Sequence, residues 1–298
     1  MEKLHLLLKQ LEDIMKEENE ELKESLEGQG AEDDLVELVE AYEKQLAKLL
    51  RAQRDYYIAE IESQVIKDAD SLKALLAYLI ANSFQKDEFQ EEMEEFHKEF
   101  LTSSMTALAA VHMDIIDKDI GFDTLSPRTT KWINSWSKEL SELMQLQTHT
   151  DIEKILNKGI EEGKSIPDIV KELKDLPAFN RNRARVTAIT EILTANSASQ
   201  FEAYQQSPAV VAKVWKHSGA AAINPRPHHM DYDGTEVPVD EPFIIGGEEA
   251  MFPRDPNLSA KERVMCHCAM GPVTDSKILG LTPEEKKKLR DEALESLE

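Results

Sequence analysis

The sequence predicts a mainly α protein: an extended helical N-terminal region, a further helical segment, and a small turn-rich α+β unit towards the C-terminus. Three observations carry this reading. Apolar residues recur at helical intervals through the first two-thirds of the chain. Ser-Pro, Thr-Pro and glycine punctuation marks helix ends. After Ser207-Pro208 the texture shifts to β-prone residues broken by Gly, Pro and Asp.

Leu4 to Leu26 is a weak amphipathic stretch closed by Gly28 and Gly30. From Leu35, apolar side chains at 35, 38, 39, 42, 46, 49 and 50 line one helical face, with Asp33 or Asp34 as the expected cap. The pattern runs on through Tyr57, Ile58, Ile61 and Val65 with no Gly or Pro to stop it. Phe89, Met93, Phe96 and Phe100 then repeat along a glutamate-rich helix. Such a stripe is a packing surface, facing the core, another subunit or a partner.

Ser126-Pro127 reads as an N-cap followed by proline at the first helical position, with Trp132, Trp136, Leu140 and Leu143 as the stripe that follows. Thr150 and Glu153 match a capping box, so a new helix is expected there, ending near Gly163. Ser165 to Leu176 reads as a short helix stopped by Pro177. A longer one is expected from about Arg183 to Gln205, with Ala184, Ala188, Ile192, Ala195 and Ala198 allowing close approach.

Val210, Val211, Val214 and Trp215 open the β-prone part. Val237-Pro238-Val239 and Phe243-Ile244-Ile245 are short strand candidates between turns such as Asp233-Gly234 and Gly246-Gly247. Thr282-Pro283-Glu284-Glu285 opens a closing helix that is expected to end in Glu298. The organisation is therefore an acidic helical region over 1–122, a domain over 123–272 (helices to 206, a β-containing unit over 207–272), and a charged helix or tail over 273–298.

Composition narrows the function classes. The chain has 298 residues, with 35 basic against 58 acidic side chains and a net charge of −23. Residues 1–100 hold 27 of the acids and 12 of the bases. Coating duplex DNA needs clustered Lys/Arg to neutralise phosphates, so nucleic-acid contact is confined to local patches. Arg181, Arg183 and Arg185 are the one basic cluster, and their alternation spreads them around a helix axis, where they pair with nearby carboxylates. Two cysteines exclude a disulfide scaffold and suit a reducing compartment. The longest apolar run, Ala74 to Ala81, is far short of the ~20 residues a bilayer span needs, and the N-terminus lacks a secretory pattern.

The residues with chemistry are His217, His228, His229, Asp231, Asp233, Asp255, Cys266, His267 and Cys268. Imidazole and thiolate are the usual zinc ligands. His229, Cys266 and Cys268 would supply three, with His217, His228 or an aspartate as the fourth, making structural zinc the one cofactor this set suits. The competing reading puts both cysteines on a β-strand as small core residues, with the histidines bonded to loop carbonyls. A metal-dependent, nuclease-like hydrolase using His228, His229, Asp231 and Asp233, with Asp255 or Glu262 as base, is the alternative function. No HExxH, GxSxG, P-loop or EF-hand spacing supports it, and no catalytic residue is assigned.

These residues also carry a resemblance. Lys131-Trp132, Gly159-Ile160 with Gly163, Ser165 and Asp168-Ile169 come in one order. Arg183-Ala184-Arg185, Thr190-Glu191, Ala195-Asn196, Ala203-Tyr204 and Lys213 with Trp215 continue it. Arg226 with His229, Asp233-Gly234, Asp240-Glu241-Pro242-Phe243, Asp255-Pro256 and Cys266-x-Cys268 close it. Together, over Thr129 to about Pro272, they resemble the phage Mu F-like head-morphogenesis family of minor head proteins in tailed bacteriophages. Two departures stand out: Ile189 where the family's Ala-Arg-Thr-Glu has arginine, and Met265-Cys266-His267-Cys268 where it has Asn-Cys-Arg-Cys.

The resemblance implies a non-catalytic virion component inside the capsid near the portal vertex, present in the host cytoplasm during assembly. It implies the portal protein as partner, with major capsid or scaffolding protein and local contact with packaged DNA besides, and no membrane. The domain is sometimes fused to toxin modules, and 298 residues leave no room for one. The Phe89, Met93, Phe96 and Phe100 stripe is the candidate partner-binding face.

Overall fold

The computed structural model describes residues 20–26, 28–63, 69–85, 88–217 and 226–297. It is mainly helical, with small antiparallel sheets towards the C-terminus. Most of the Leu4 to Leu26 stretch, and Val65, lie outside the described residues.

Helix α1 spans Glu32–Ser63 and α2 spans Ala69–Tyr78, continued by a π-helical turn at Leu79–Ser83. Then come α3 (Phe89–Ile116), α4 (Pro127–Glu162), α5 (Ile166–Lys174), a 3-10 turn at Pro177–Phe179, and α6 (Arg181–Gln206). Asp33 and Asp34 sit inside the first turn of α1 rather than at its cap. The carboxylate of Glu32 instead accepts from the amides of Gly28 and Gly30. Acids still belong in that turn, where they face the positive end of the helix dipole.

Thr150 does not start a helix. α4 runs unbroken for 36 residues, and the Thr150 hydroxyl donates back to the Leu146 carbonyl at 2.8 Å. Thr148 does the same to Met144 at 3.0 Å. A hydroxyl satisfied within its own helix has no need to cap a new one, and the buried stripe continues through Ile152 and Leu156. The other punctuation holds: Ser126 Oγ accepts from the Thr129 amide, Gly163 takes φ +66°, and Ser165 with Asp168 forms a capping box. Thr282 and Glu285 form another at the start of the closing helix.

The chain divides into two compact units that interleave along the sequence: Glu40–Phe100 with Lys131–Ala188, and Met1–Val39 with Leu101–Thr130 and Ile189–Glu298. In the unit from Glu40, Tyr57, Ile61, Leu75 and Leu79 pack with Ile152, Leu156, Ile169, Leu173 and Phe179. Gly159 lets α5 come close, since a Cβ there would lie 2.9 Å from Ile169 Cδ1. Met93 is buried, while the rings of Phe96 and Phe100 lie 4.8 and 5.1 Å from Tyr42, and Phe89 lies 6.0 Å from Tyr56. The stripe thus packs on α1 inside its own unit. The arginines divide their work. Arg181 and Arg185 clasp the buried Glu43 carboxylate, and Arg183 donates to Thr148 Oγ1 and to the carbonyls of Ala178 and Met144.

The other unit carries the sheets. β1 (Val210–Lys216), α7 (Pro227–Asp231), β2 (Glu236–Pro238), β3 (Phe243–Ile245) and β4 (Glu248–Ala250) lead to α8 (Ala260–Arg263) and β5 (Ala269–Thr274). One sheet has the antiparallel order β2-β1-β5, with Trp215 opposite Met270, and β3-β4 is a separate hairpin. Gly246 and Gly247 turn that hairpin, both at positive φ as a tight type I′-like loop demands. Cys266 and Cys268 lie in the extended segment just before β5, not on the strand itself. α9 (Ser276–Leu279) and α10 (Pro283–Glu295) follow. Buried Lys286 reaches Asp117 and Asp119, and Arg290 reaches the Gly121 carbonyl and Asp123. Among the described residues no helix is long and apolar enough to cross a membrane.

Candidate functional site

The histidine–cysteine cluster is assembled by two short helices and the segment that enters β5. Arg226, just before α7, donates from Nε to the Lys261 carbonyl at 2.6 Å and from Nη2 to the Val264 carbonyl at 2.8 Å. This fastens α7 to α8 and sets the two histidines of α7 against Glu262. His228 Nε2 and His229 Nε2 lie 2.7 and 3.0 Å from the same oxygen, Glu262 Oε2. His229 Nδ1 lies 3.6 Å from both Cys266 Sγ and Cys268 Sγ, and all three residues are buried.

Buried polar groups frame the cysteines. Arg254 is wholly buried, and its Nη1 donates to the carbonyls of both Cys266 and Cys268, at 2.7 and 2.6 Å, while Nη2 binds Ser197 Oγ. Arg254 and Met265 are non-glycine residues at φ +67° and +53°. The left-handed region costs an L-residue roughly 1–2 kcal/mol, so the fold places strain at Met265, directly before the Cys-x-Cys segment, and at Arg254, which grips its carbonyls. Glu191 pairs with Arg263 at 3.0 Å and Thr190 Oγ1 accepts from the Met265 amide, which ties the Thr-Glu motif of α6 to the same segment. With Ile189 in place of the motif arginine, Arg263 is the cation that reaches Glu191.

Electrostatics in the cluster are unequal. The hydrogen bond from Cys268, helped by His229 and Arg254 against the effect of burial, pulls the Cys266 thiol well below its ordinary range. The same pairing with Cys266, reinforced by burial, pushes Cys268 up. Burial works to lower His229, but the bond and charge of Cys266 and the contact with Glu262 raise it overall. Glu262 is lowered: burial opposes this, and its bonds to His228 and His229 prevail.

Among the described residues, two groups of donor atoms have metal-ligating chemistry: His229 with Cys266 and Cys268, and His228 with His229 and Glu262. The other residues singled out in the sequence do different work. Asp233 Oδ1 accepts from the His217 amide, Asp231 is exposed, and buried Asp255 caps its own turn by accepting from the Met251 and Asn257 amides. His267 Nδ1 bonds the Ser25 carbonyl, and burial lowers its proton affinity. Arg254 was invisible to sequence reasoning, because an arginine in a Pro-Arg-Asp-Pro turn gives no sign of burial. The sequence offers Glu262 only as a base, and the structure makes it the acid that both histidines meet.

The helix carrying Thr190-Glu191 and the β unit closed by Cys266 and Cys268 fall within one stretch of the chain that matches a known family. The family model described as phage Mu protein F like protein matches residues 150–271. The chain is 50% identical over 268 residues to the uncharacterised protein YqbB of Bacillus subtilis (strain 168), covering 89% of this chain and 88% of that one. The chain belongs to the phage Mu protein F-like family. It is also 29% identical over 177 residues to the NAD(+)–arginine ADP-ribosyltransferase EFV of Enterococcus faecalis (strain ATCC 700802 / V583), a match over 59% of this chain and 33% of the transferase. No solved structure matches.

Proposed function

We propose that the chain is a minor head protein of a tailed bacteriophage, held inside the capsid at the portal vertex and acting in head assembly and in DNA packaging or delivery. The observation that carries this reading is membership of the phage Mu protein F-like family, with the match reaching from α4 through Cys266 and Cys268 into β5. A structural role without catalysis fits that family. A net charge of −23 favours a protein partner (portal, major capsid or scaffolding protein) over a DNA-coating role, since the chain as a whole repels packaged DNA.

The likeness to the ADP-ribosyltransferase spans a third of that protein and supports no transfer activity here. The hydrolase alternative is not favoured either, because the histidines meet Glu262 and not the Asp231 and Asp233 it required. The deciding experiment is co-expression with the portal protein of the same phage, followed by affinity capture and mass spectrometry of purified virions. A stable complex and low-copy presence in virions are expected. Absence from virions together with no portal binding would overturn the reading. A metal-dependent turnover of DNA that Glu262→Gln abolishes in a folded protein would promote the hydrolase.

A further inference from the structure

We infer that His229, Cys266 and Cys268 bind a zinc ion, which fastens α7 to the segment entering β5. The geometry comes first. With zinc–sulfur bonds of about 2.3 Å and zinc–nitrogen bonds of about 2.0–2.1 Å, a tetrahedral site separates its nitrogen and sulfur donors by about 3.6 Å. His229 Nδ1 lies 3.6 Å from each of the two sulfurs. One shared ion sets both distances at once, whereas hydrogen bonds within the cluster set them separately. A neutral imidazole has one lone pair, which accepts one S–H, yet here two sulfurs stand at equal distance from it.

The surroundings suit the ion. Glu262 Oε2 accepts from the far nitrogen of His229, which fixes the tautomer so that the Nδ1 lone pair faces the sulfurs. A carboxylate behind the histidine in this way is the usual support of a metal-bound imidazole. Arg254 grips both cysteine carbonyls with one nitrogen and so holds the two side chains to the same side. The buried Trp215 indole N–H has no oxygen or nitrogen acceptor, and the group it acts on is the Cys268 sulfur. A thiolate there gives that donor its partner.

Binding replaces two S–H protons by one Zn²⁺ and releases both protons to solvent. The charges then cancel: two thiolates against the ion, and Glu262 against Arg254. His228 is turned to Glu262, and no further described His, Cys, Asp or Glu joins the three donors, so water takes the fourth corner. Soft thiolates with one imidazole favour zinc over magnesium or calcium. This inference is independent of the virion reading, since a metal staple serves any function of the unit.

The test is metal analysis of the full chain, expressed in zinc-containing medium and desalted, by elemental and native mass spectrometry. One zinc per chain is expected. Cobalt exchanged for it should give the thiolate charge-transfer band and the intense visible absorption of a tetrahedral site. Cys266→Ser and Cys268→Ser should each lose the metal. Because those variants risk misfolding, Glu262→Gln, which keeps all three donors, should bind zinc chloride about 10–100-fold more weakly. A chain that stays metal-free after incubation with zinc chloride, with both thiols reactive once unfolded, would overturn the inference. Zinc retained by a folded Cys266→Ser/Cys268→Ser chain would do the same by placing the metal elsewhere.

Discussion

Tyr42 and His97 are joined by a 2.6 Å bond from phenol oxygen to imidazole Nδ1, with their rings stacked 5.6 Å apart at 16°. His97 is fully buried, and that burial lowers its pKa from 6.5 to about 3. The folded protein therefore keeps this imidazole neutral while the unfolded chain protonates it.

The unfolded state binds the extra proton between about pH 3 and pH 6.5, so stability should fall as pH drops through that window. The limiting slope is about 1.4 kcal/mol per pH unit from this one group. Urea titrations from pH 7 to pH 4 check it. His97→Gln should flatten the slope in the unit built from Glu40–Phe100 and Lys131–Ala188, and an unchanged slope would refute the assignment.

Thr150→Ala should leave stability unchanged or raise it by a few tenths of a kcal/mol, as expected for a helix-interior threonine replaced by the best helix former. A helix start at Thr150 would instead make the substitution cost about 1 kcal/mol through loss of the cap. The sign of the shift in denaturation midpoint separates the two.

Arg183→Ala should cost about 2–4 kcal/mol, because two backbone carbonyls and a hydroxyl lose their donor at a half-buried site. Burial already lowers its guanidinium to about 10, the mark of a cation held by geometry and not by solvent. Arg183→Lys should recover only part of the loss, since one ammonium cannot span three acceptors as the planar fork does.

Gly246→Ala should cost about 1–2 kcal/mol from the left-handed backbone alone. Its added Cβ would also sit 3.1 Å from Glu262 Oε1 and 3.5 Å from His228 Nε2. Chemical shifts of the His228 and His229 ring protons should move with the mutation, whereas Gly234→Ala, with nothing near its Cβ, should leave them in place.

Helices were legible because their signals are local. Ser126-Pro127, Ser165 with Asp168, Gly163 and Thr282 with Glu285 each act within one turn, and the chain obeys them. Thr150 misled because the same hydroxyl that caps a helix also bonds back inside one, and only the continuing buried stripe of α4 decides which. The short strands were partly readable: β3 stood out as Phe-Ile-Ile, while β4 is Glu-Glu-Ala and owes its pairing to the Gly246-Gly247 turn. At the cluster, His229 and the cysteines were readable from ligand chemistry. Arg254 and the Glu191–Arg263 pair were not, because burial of a charge depends on partners 57 and 72 residues away.

The anchoring of α10 carries a consequence for biosynthesis. Lys286 closes on Asp117 across 169 residues, and Gln29 meets the His267 carbonyl across 238. The unit they belong to is stitched from three separated stretches, so its contacts cannot all form until the stretch around Lys286 has been translated. The unit from Glu40–Phe100 and Lys131–Ala188 has all its residues in hand once Ala188 emerges. Closing long loops is entropically slow, and domains fold as their last segment leaves the ribosome. Ribosome-arrested chains ending near residue 230 should therefore already protect the helices of that unit from proteolysis. The cysteines, still unmade at that length, would meet His229 only once the segment entering β5 has left the ribosome.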